Sequence, residues 1–376
     1  MTTLAQPAER PQGRRARVHP DGVRAHHRAL VLATLFHGGA MSRADLARET
    51  GLTRVTTSDL VGELISGGLV VEQGTRPGAR PGKPAVLVDL DRAALQVVAI
   101  DLSDSHEVRG AVIDIAGTAT ERRALPRPAD GDGRAALDVV ERLARDLLDA
   151  ASGRVLGVGV GSPGIVSAGG VVVAAPNMGW RDAAVQAELR ERLGVPVYVS
   201  NDADVAALAE RTLGGAGADF LLVKVGRGVG AGVVIGGELA RGSRSATGEL
   251  GHVTVGTDGG PRCGCGRDGC LEAWLSVTAM EARIAAGDAP DLVHREAGER
   301  LGIALAPVVG VLDLAEIVLS GPSDHLDGAV TDTAVATLRE RTFLHDDVRV
   351  RMSSHAEDVV LRGAIVLVLH GELGVS

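Results

Sequence analysis

The most specific pattern in this 376-residue sequence is Glu249-Leu250-Gly251-His252, followed by Cys263-Gly264-Cys265-Gly266-Arg267-Asp268-Gly269-Cys270 and Glu272. All three cysteines of the chain lie within eight consecutive positions, and a histidine precedes the first of them by eleven residues. Three thiolates and one imidazole form a complete tetrahedral ligand set for structural zinc. The intervening glycines let the backbone fold tightly enough for the sulfurs to face one ion. We therefore predict a Zn2+ site formed by His252, Cys263, Cys265 and Cys270.

Two other interpretations of the cysteines are weaker. Reduced cysteines without a chemical role behave as small buried hydrophobic residues, and such residues should be scattered along the chain rather than clustered. A disulfide would leave one of the three cysteines unpaired, and nothing else in the sequence suggests secretion.

Two glutamates flank the predicted metal ligands. Glu249 precedes His252 by three positions, and Glu272 follows Cys270 by two. A zinc ion that fixes this loop would fix both carboxylates, which accept hydrogen bonds from hydroxyl groups of a ligand. The alternative is that both glutamates are solvated loop residues, as most charged residues are.

The composition indicates a multidomain protein with a basic N-terminal part. A length of 376 residues favours two or three domains, and 45% hydrophobic residues are enough for sizeable cores. Residues 1–92 hold 13 Lys/Arg and 9 Asp/Glu, whereas the remainder holds 26 and 39. A basic N-terminal segment joined to an acidic remainder suggests that the N-terminal segment is a nucleic-acid-binding module. No apolar run is long enough to span a bilayer and no secretory leader opens the chain, so we expect a cytoplasmic protein without membrane contact.

The N-terminal part has the pattern of a winged helix-turn-helix domain over residues 23–90. Residues 1–22 lack apolar periodicity and are predicted to be a disordered basic arm, either contacting DNA phosphates or simply solvated. A first helix is predicted from Val23 and ends at Gly38-Gly39. Two short helices follow, residues 43–50 capped by Ser42 and residues 54–66 capped by Thr53. Val55, Leu60, Val61, Leu64 and Ile65 are predicted to form the buried face of the second helix. Residues 69–72 and 85–88 are predicted strands, with a glycine- and proline-rich wing between them.

Short hydroxyl side chains and arginines near the start of the second helix suit contacts to phosphates and base edges in the major groove. Basic residues on the wing could reach the DNA backbone or the minor groove. The alternative is a solvated helix face. The predicted DNA-binding residues are Ser42, Arg43, Thr53, Arg54, Thr56, Thr57, Arg76, Arg80 and Lys83.

After Leu90 strands and helices alternate, among them a helix predicted over residues 181–193, which indicates an α/β body. Asn201 and Asp202 follow a predicted strand over residues 195–199 and precede a helix. Asp202 could act as a general base for a hydroxyl, or both side chains could simply cap the helix. The loop from Gly226 to Gly232 could hold a phosphate with its backbone N–H groups or form only a tight hairpin.

From Val23 to the C-terminus the chain resembles the ROK family of sugar-responsive repressors and sugar kinases. The resemblance rests on the Glu249–Glu272 pattern and on Gly161-Ser-Pro-Gly164, Pro176-Asn177, Asn201-Asp202 and Ile317-Val-Leu-Ser-Gly321. It implies a two-lobed actin-like (ribonuclease H-like) ATPase/sugar-kinase fold over residues 91–376, with the zinc loop at 249–272. It also implies a homodimer or homotetramer with structural zinc. The sugar ligands that it implies are Asn201, Asp202, Glu249, His252 and Glu272.

Two departures from the kinase branch predict that the chain is not an enzyme. Kinases of the family carry Asp-x-Gly-Gly-Thr where this chain reads Asp101-Leu-Ser-Asp-Ser105, so both glycines are lost and Asp104 adds negative charge. Arg227 stands where the kinases usually have threonine. Asp202 is then a vestigial kinase base.

We therefore predict a sugar-responsive transcription regulator, a repressor of carbohydrate uptake or catabolism genes that binds palindromic operator DNA and has a sugar or sugar phosphate as its effector. The alternatives are an ATP-dependent sugar kinase with a DNA-binding head, and a constitutive DNA-binding protein with a vestigial cleft.

Overall fold

The computed structural model describes residues 20–75, 85–104, 106–128, 132–256, 259–343 and 347–375. Within it the chain separates into two compact units, and the boundary lies between Leu90 and Asp91. The predicted arm lies outside the described residues up to position 19, and so does the wing tip with Arg76, Arg80 and Lys83.

The first unit contains three helices and a small sheet. Its elements are α1 (Pro20–Gly38), β1 (Met41–Ser42), α2 (Arg43–Thr50), α3 (Arg54–Ser66), β2 (Val70–Thr75) and β3 (Val86–Leu90). The strand order is β1-β3-β2, and both pairs are antiparallel. Helix α1 begins at Pro20, three residues before the predicted start, because proline is favoured in the first turn of a helix. Helices α2 and α3 have the predicted bounds.

The ends of α2 and α3 follow from local hydrogen bonding. Ser42 and Thr53 are the N-caps, and their hydroxyls accept hydrogen bonds from the backbone N–H groups of Asp45 and Thr56, respectively. Gly51 adopts φ +70°, a left-handed conformation that ends α2 at little steric cost. The helix-turn-helix geometry is therefore set by two hydroxyl caps and one glycine.

The buried face of α3 differs from the prediction at its first position. Leu60, Val61 and Leu64 are buried as predicted, but Val55 is 72% exposed and Thr57 is fully buried. Positions 57, 60, 61 and 64 follow the i, i+3, i+4, i+7 spacing of one helical face, whereas position 55 points about 200° away from position 57. The prediction that Val55 is buried was wrong. It relied on the apolar character of valine and not on the position of residue 55 around the helix axis.

The first lobe of the second unit is a five-stranded sheet with flanking helices and a small three-stranded sheet. Its elements are β4 (Leu95–Asp101), β5 (Glu107–Asp114), β6 (Ala119–Pro126), α4 (Gly133–Ala150), β7 (Arg154–Ser162), β8 (Ile165–Val166), β9 (Val172–Ala175), β10 (Trp180–Ala183), α5 (Val185–Leu193), β11 (Val197–Asn201) and α6 (Asp202–Thr212). The sequence did not predict β6, and it placed the start of α5 at residue 181, where β10 pairs with β9 instead.

The second lobe repeats this plan. Its elements are β12 (Phe220–Val225), β13 (Val229–Ile235), β14 (Glu238–Leu239), α7 (Glu272–Leu275), α8 (Val277–Ala285), α9 (Pro290–Leu312), β15 (Glu316–Ser320), α10 (Ser323–Leu326), α11 (Ala329–Arg341), β16 (Arg349–Met352) and α12 (Val359–Leu373).

The two large sheets have the same topology. Their orders are β11-β7-β4-β5-β6 and β16-β15-β12-β13-β14. In each, the first three strands in the chain form an antiparallel meander and the last two are added in parallel. This duplicated order is that of the two-lobed ribonuclease H-like fold, so the predicted fold class is confirmed.

Helices α6 and α12 connect the two sheets. Helix α12 packs on β4 and β7 of the first lobe and on α6, which itself contacts β12 and β13 of the second. Gly363 of α12 lies against Val205 of α6 so closely that a Cβ atom would come within 1.8 Å of the carbonyl oxygen. The start of α6 is thereby fixed between the lobes. None of the described helices is long and apolar enough to cross a bilayer.

Candidate functional site

The four predicted metal ligands come together in space. One donor atom from each of His252, Cys263, Cys265 and Cys270 lies within 4.8 Å of the others. Cys265 Sγ is 3.6 Å from Cys270 Sγ, and Cys263 Sγ is 3.7 Å from His252 Nδ1. Tetrahedral zinc with ordinary bond lengths places sulfurs ~3.8 Å apart and a sulfur and nitrogen ~3.6 Å apart. The cluster therefore has both the chemistry and the dimensions of a metal site.

The histidine segment reaches this cluster because glycines pack it against β13. Glu249–His252 forms a short 3-10 helix, and Gly248 and Gly251 lie on either side of its first turn. Added Cβ atoms at these glycines would meet the carbonyl oxygens of Ala231 and Val229 at 1.8 Å and 2.1 Å. No larger residue fits at either position without displacing the segment.

All five residues predicted to bind a sugar line a single cavity between the two lobes. Its volume is about 260 Å3, close to the lower end of small-molecule pockets (~300 Å3). The five are Asn201, Asp202, Glu249, His252 and Glu272. His252 directs Nδ1 to the thiol cluster, which leaves Nε2 as its second polar atom. Glu272 accepts a hydrogen bond from the Val229 N–H at 3.1 Å through Oε2.

Asn201 is a helix cap as well as a lining residue. Its Oδ1 accepts hydrogen bonds from the N–H groups of Ala203 and Asp204, at 2.9 and 3.1 Å, and its amide donates to the Gly164 carbonyl at 2.8 Å. Asn201 is therefore a helix cap, and it also lines the cavity in which a ligand site was predicted.

Asp202 is engaged by groups that the sequence did not connect with it. Its Oδ2 accepts a hydrogen bond from Ser103 Oγ at 2.9 Å and forms an ion pair with Lys224 Nζ at 3.0 Å. Burial opposes the charge on Lys224, but the negative charges of Asp202 and Asp101 outweigh it and raise the pKa of the ammonium. Oδ1 of Asp202 accepts a hydrogen bond from the Ala203 N–H at 3.0 Å, so both carboxylate oxygens are engaged within the protein.

The two candidate phosphate-binding segments are closed by their own contacts. Asp101 is buried and pairs with Arg109 at 2.8 Å. In the glycine-rich loop, the Gly226 N–H donates to the Gly228 carbonyl, and Val225 pairs with Val229. This loop forms a tight hairpin, and phosphate binding by its backbone N–H groups stays a prediction.

Two acids around the start of α6 have raised pKa values. Burial raises the pKa of Asp204 to about 7, Arg241 opposes the rise, and Asp202 and Glu249 add to it. Burial also raises the pKa of Glu249, against the effect of His252. Several carboxyl groups share a small volume here, which is typical of ligand sites.

The predicted DNA-binding residues fall into two groups. Thr53 and Arg54 are exposed at the start of α3, Thr56 is half-buried beside them, and Arg43 pairs with Glu72 at 3.1 Å. Ser42 is 6% exposed and Thr57 is fully buried, so the hydroxyls of these two residues serve the fold.

Comparison with known proteins gives the family. The sequence profile of the ROK family matches residues 97–370. The chain belongs to the ROK family.

Relatives within this family include both repressors and kinases. The chain is 27% identical to a putative xylose repressor of Caldicellulosiruptor sp. (strain Rt8B.4), over 91% of this chain and 95% of that protein. It is 44% identical to a glucokinase of Halalkalibacterium halodurans, but over 35% of this chain and 40% of the enzyme. In fold it resembles a ROK family transcriptional regulator, a homologue of the E. coli MLC protein, with a TM-score of 0.82 and 23% identity over 94% of this chain and 97% of that one.

Sequence reasoning missed three cavity residues: Ser103 and Lys224, which contact Asp202, and Arg127. A lysine within the apolar strand Phe220–Val225 was a usable signal, because a lysine is rarely buried unless it is paired.

Proposed function

We propose that this protein is a sugar-responsive transcriptional repressor. The observation that carries the proposal is the convergence of five hydroxyl-binding side chains on one cavity in a chain whose other unit is a winged helix-turn-helix. The putative xylose repressor matches 91% of the chain in sequence, whereas the glucokinase matches 35% of it. Residues 23–90 then bind operator DNA, and residues 91–376 bind the sugar.

Zinc is the proposed metal. His252, Cys263, Cys265 and Cys270 would hold it, and the ion would supply no chemistry beyond cross-linking the loop. With Nδ1 on the metal, the orientation of the His252 ring is fixed and Nε2 is available to a sugar hydroxyl. Glu249 and Glu272, on either side of the ligands, would accept hydrogen bonds from further hydroxyls.

DNA recognition is assigned to the exposed start of α3. Thr53, Arg54 and Thr56 would contact phosphates and base edges in the major groove. Ser42 and Thr57 would act by fixing the two helices, and Arg43 would contact a phosphate next to Glu72. Arg76, Arg80 and Lys83 stay predicted wing contacts. A homodimer or homotetramer would place two such heads on a palindromic operator.

Catalysis is not part of the proposed function. Lys224 and Ser103 occupy Oδ2 of Asp202, and Asp101 is paired with Arg109. The second candidate function, an ATP-dependent sugar kinase, is favoured by the retained Asp202 and by the similarity to the glucokinase segment.

The test begins with in vitro selection of binding sites from random DNA by the full-length protein. Fluorescence anisotropy then measures the Kd for the selected duplex with and without each of a panel of sugars and sugar phosphates. The proposal predicts that at least one of these compounds weakens DNA binding about 5- to 150-fold, the usual range of allosteric coupling. Glu249→Gln should lose this response, whereas Glu121→Gln, on the exposed strand β6, should keep it.

Two outcomes would replace the proposal. DNA binding that ignores every compound on the panel would identify a constitutive DNA-binding protein. Steady ADP release with a sugar, abolished in Asp202→Asn, would identify a kinase.

A further inference from the structure

The cavity between the lobes carries positive charge that binding of a neutral sugar does not use. Arg127 and Arg227 both line it, together with the five proposed sugar ligands. They come from opposite lobes, since Arg127 follows β6 and Arg227 lies at the turn between β12 and β13.

Arg127 is held in place by neutral groups only. Its Nη1 donates to the Asp104 carbonyl oxygen at 2.8 Å, and its Nη2 donates to the Asn177 carbonyl oxygen. Neither acceptor carries a charge. The side chain is half-buried, so its position is fixed while its charge is not neutralised by a carboxylate of any described residue.

Arg227 is also without a counter-ion. Its carbonyl oxygen accepts a hydrogen bond from Thr278 Oγ1 at 3.3 Å, but no ion pair or hydrogen bond joins its guanidinium to the part of the chain that the structure describes. Burial, and after it the positive charge of Arg227, lower the pKa of Arg127, and the negative charge of Asp104, which forms no ion pair with it, opposes them in part. The two guanidinium groups are therefore close enough to repel each other.

The acids of the cavity do not offset this repulsion. Asp202 is already paired with Lys224 at 3.0 Å. Glu272 accepts a hydrogen bond from the Val229 N–H at 3.1 Å. Two like charges held together without a counter-ion destabilise the empty cavity, and an anion bound between them would remove that cost.

We propose that the effector is a phosphorylated sugar whose phosphate group is bound between Arg127 and Arg227. This inference rests on the proposed function and names the chemical class of its ligand. Guanidinium groups present planar, forked donors that match phosphate oxygens, and a phosphate has enough oxygens to accept from two arginines at once. A sugar carboxylate offers only two oxygens and one negative charge to the same two forks. The hydroxyl groups of the same ligand would contact Glu249, Glu272 and His252.

A nucleoside triphosphate fits this charge distribution less well. The adjoining cavity, where further phosphates would extend, is lined by Asp101, Asp104, Glu107 and Glu357, with Arg109 already paired to Asp101. Lys224 and Arg227 also line this adjoining cavity, but Lys224 is paired with Asp202. Among its described residues, four carboxylates thus face a single unpaired guanidinium, which suits one phosphate monoester next to the sugar ligands better than a chain of phosphates.

Isothermal titration calorimetry on the full-length, zinc-loaded protein tests the proposal. The titrants are glucose, xylose and N-acetylglucosamine, their phosphate monoesters, and glucuronate and gluconate as carboxylate analogues. At least one phosphate ester should bind about 10- to 100-fold more tightly than its parent sugar, since hydrogen bonds to charged groups are the strong ones. Arg127→Ala and Arg227→Ala should each remove most of that difference without changing the affinity for the parent sugar. Arg142→Ala, which removes an exposed arginine of α4, should change neither.

The outcomes separate this inference from the proposed function. If a neutral sugar binds, releases DNA and binds equally well to the arginine variants, the repressor function stands and the phosphate site is disproved. Tighter binding of a sugar acid than of any phosphate ester would also disprove it. If no phosphate ester binds and no compound of the panel releases DNA, both proposals fail.

Discussion

Lys224 Nζ lies 3.0 Å from Asp202 Oδ2, at the point where β12 of one lobe approaches the start of α6. The two side chains are 16% and 14% exposed, so the pair is largely removed from solvent. Removing one partner of such a buried ion pair strongly destabilises the protein, because the remaining charge stays buried and unpaired.

Lys224→Met should therefore lower the free energy of unfolding by about 2–4 kcal/mol, and Asp202→Asn should lower it by a similar amount. The double variant should lose less than the sum, since no isolated charge remains. Urea denaturation of the four proteins gives the coupling. Additive losses would mean that the two charges do not interact.

The zinc loop gives a second prediction. Cys265→Ser should lose the bound metal, show a lower Tm, and lose the response of DNA binding to the effector, because Glu249 and Glu272 would no longer be fixed. Arg267→Ala changes a residue of the same loop that is not a predicted ligand, and it should keep all three properties. Native mass spectrometry detects the metal, and anisotropy detects the response. A full response in metal-free Cys265→Ser would contradict the role of the metal.

The exposed start of α3 gives a third prediction. Arg54→Ala should weaken binding of the selected duplex about 10-fold and leave the effector affinity unchanged. The slope of log Kd against log salt concentration should fall by about 1, the value expected for one lost phosphate contact. Arg28→Ala removes the same charge from the exposed side of α1 and should have a much smaller effect. Equal loss of DNA and effector binding in Arg54→Ala would point to misfolding.

Val55 gives a separate prediction, because an apolar side chain that is 72% exposed on this helix is available to a thymine methyl group. Val55→Ala should leave the salt dependence unchanged and reduce discrimination at one A·T position of the selected site, by about 1 kcal/mol. Repeating the selection with the variant measures this directly. An unchanged sequence preference would mean that Val55 does not contact a base.

The pH dependence of stability is predicted to contain a contribution from Asp204. Its pKa in the folded protein is about 7, raised by burial and by Asp202 and Glu249 against the opposing charge of Arg241. A raised folded-state pKa contributes stability that is complete below the unfolded value and is lost as the pH rises through about 7.

Asp204→Asn removes this titration. The variant should gain about 1–3 kcal/mol over the parent protein between pH 5 and pH 8, although the neighbouring Glu249 still titrates in both. Thermal unfolding across this range gives the difference. Parallel curves for the two proteins would mean that Asp204 is ionised throughout.

Much of the fold could be predicted because the deciding signals are local. Ser42, Gly51 and Thr53 define the ends of the DNA-binding helices through caps and a left-handed glycine. The cysteine cluster follows from residue type and spacing alone. Strand β6 could not be predicted, because the side chains of Ala119–Pro126 are mostly exposed and show no apolar alternation. The error at α5 has the same origin, since β10 is defined by its pairing with β9 rather than by its own residues.

The cavity residues that belong to sequence motifs could be predicted. Those that reach the cavity through long-range contacts could not. Ser103 contacts Asp202 across a separation of 99 residues, and Lys224 contacts it from β12 in the sheet of the other lobe. Arg127 lies beyond a strand that the sequence did not reveal. Such partners depend on how the two lobes close around α6, which no local pattern encodes.

The central claim is that the ligand cavity and the DNA-binding unit are energetically coupled, and thermodynamic linkage tests it most directly. The measurement is the Kd of the effector for the full-length protein, alone and saturated with its selected duplex. Bound DNA should weaken effector binding by the same factor by which the effector weakens DNA binding. Identical effector affinities with and without DNA would contradict the account.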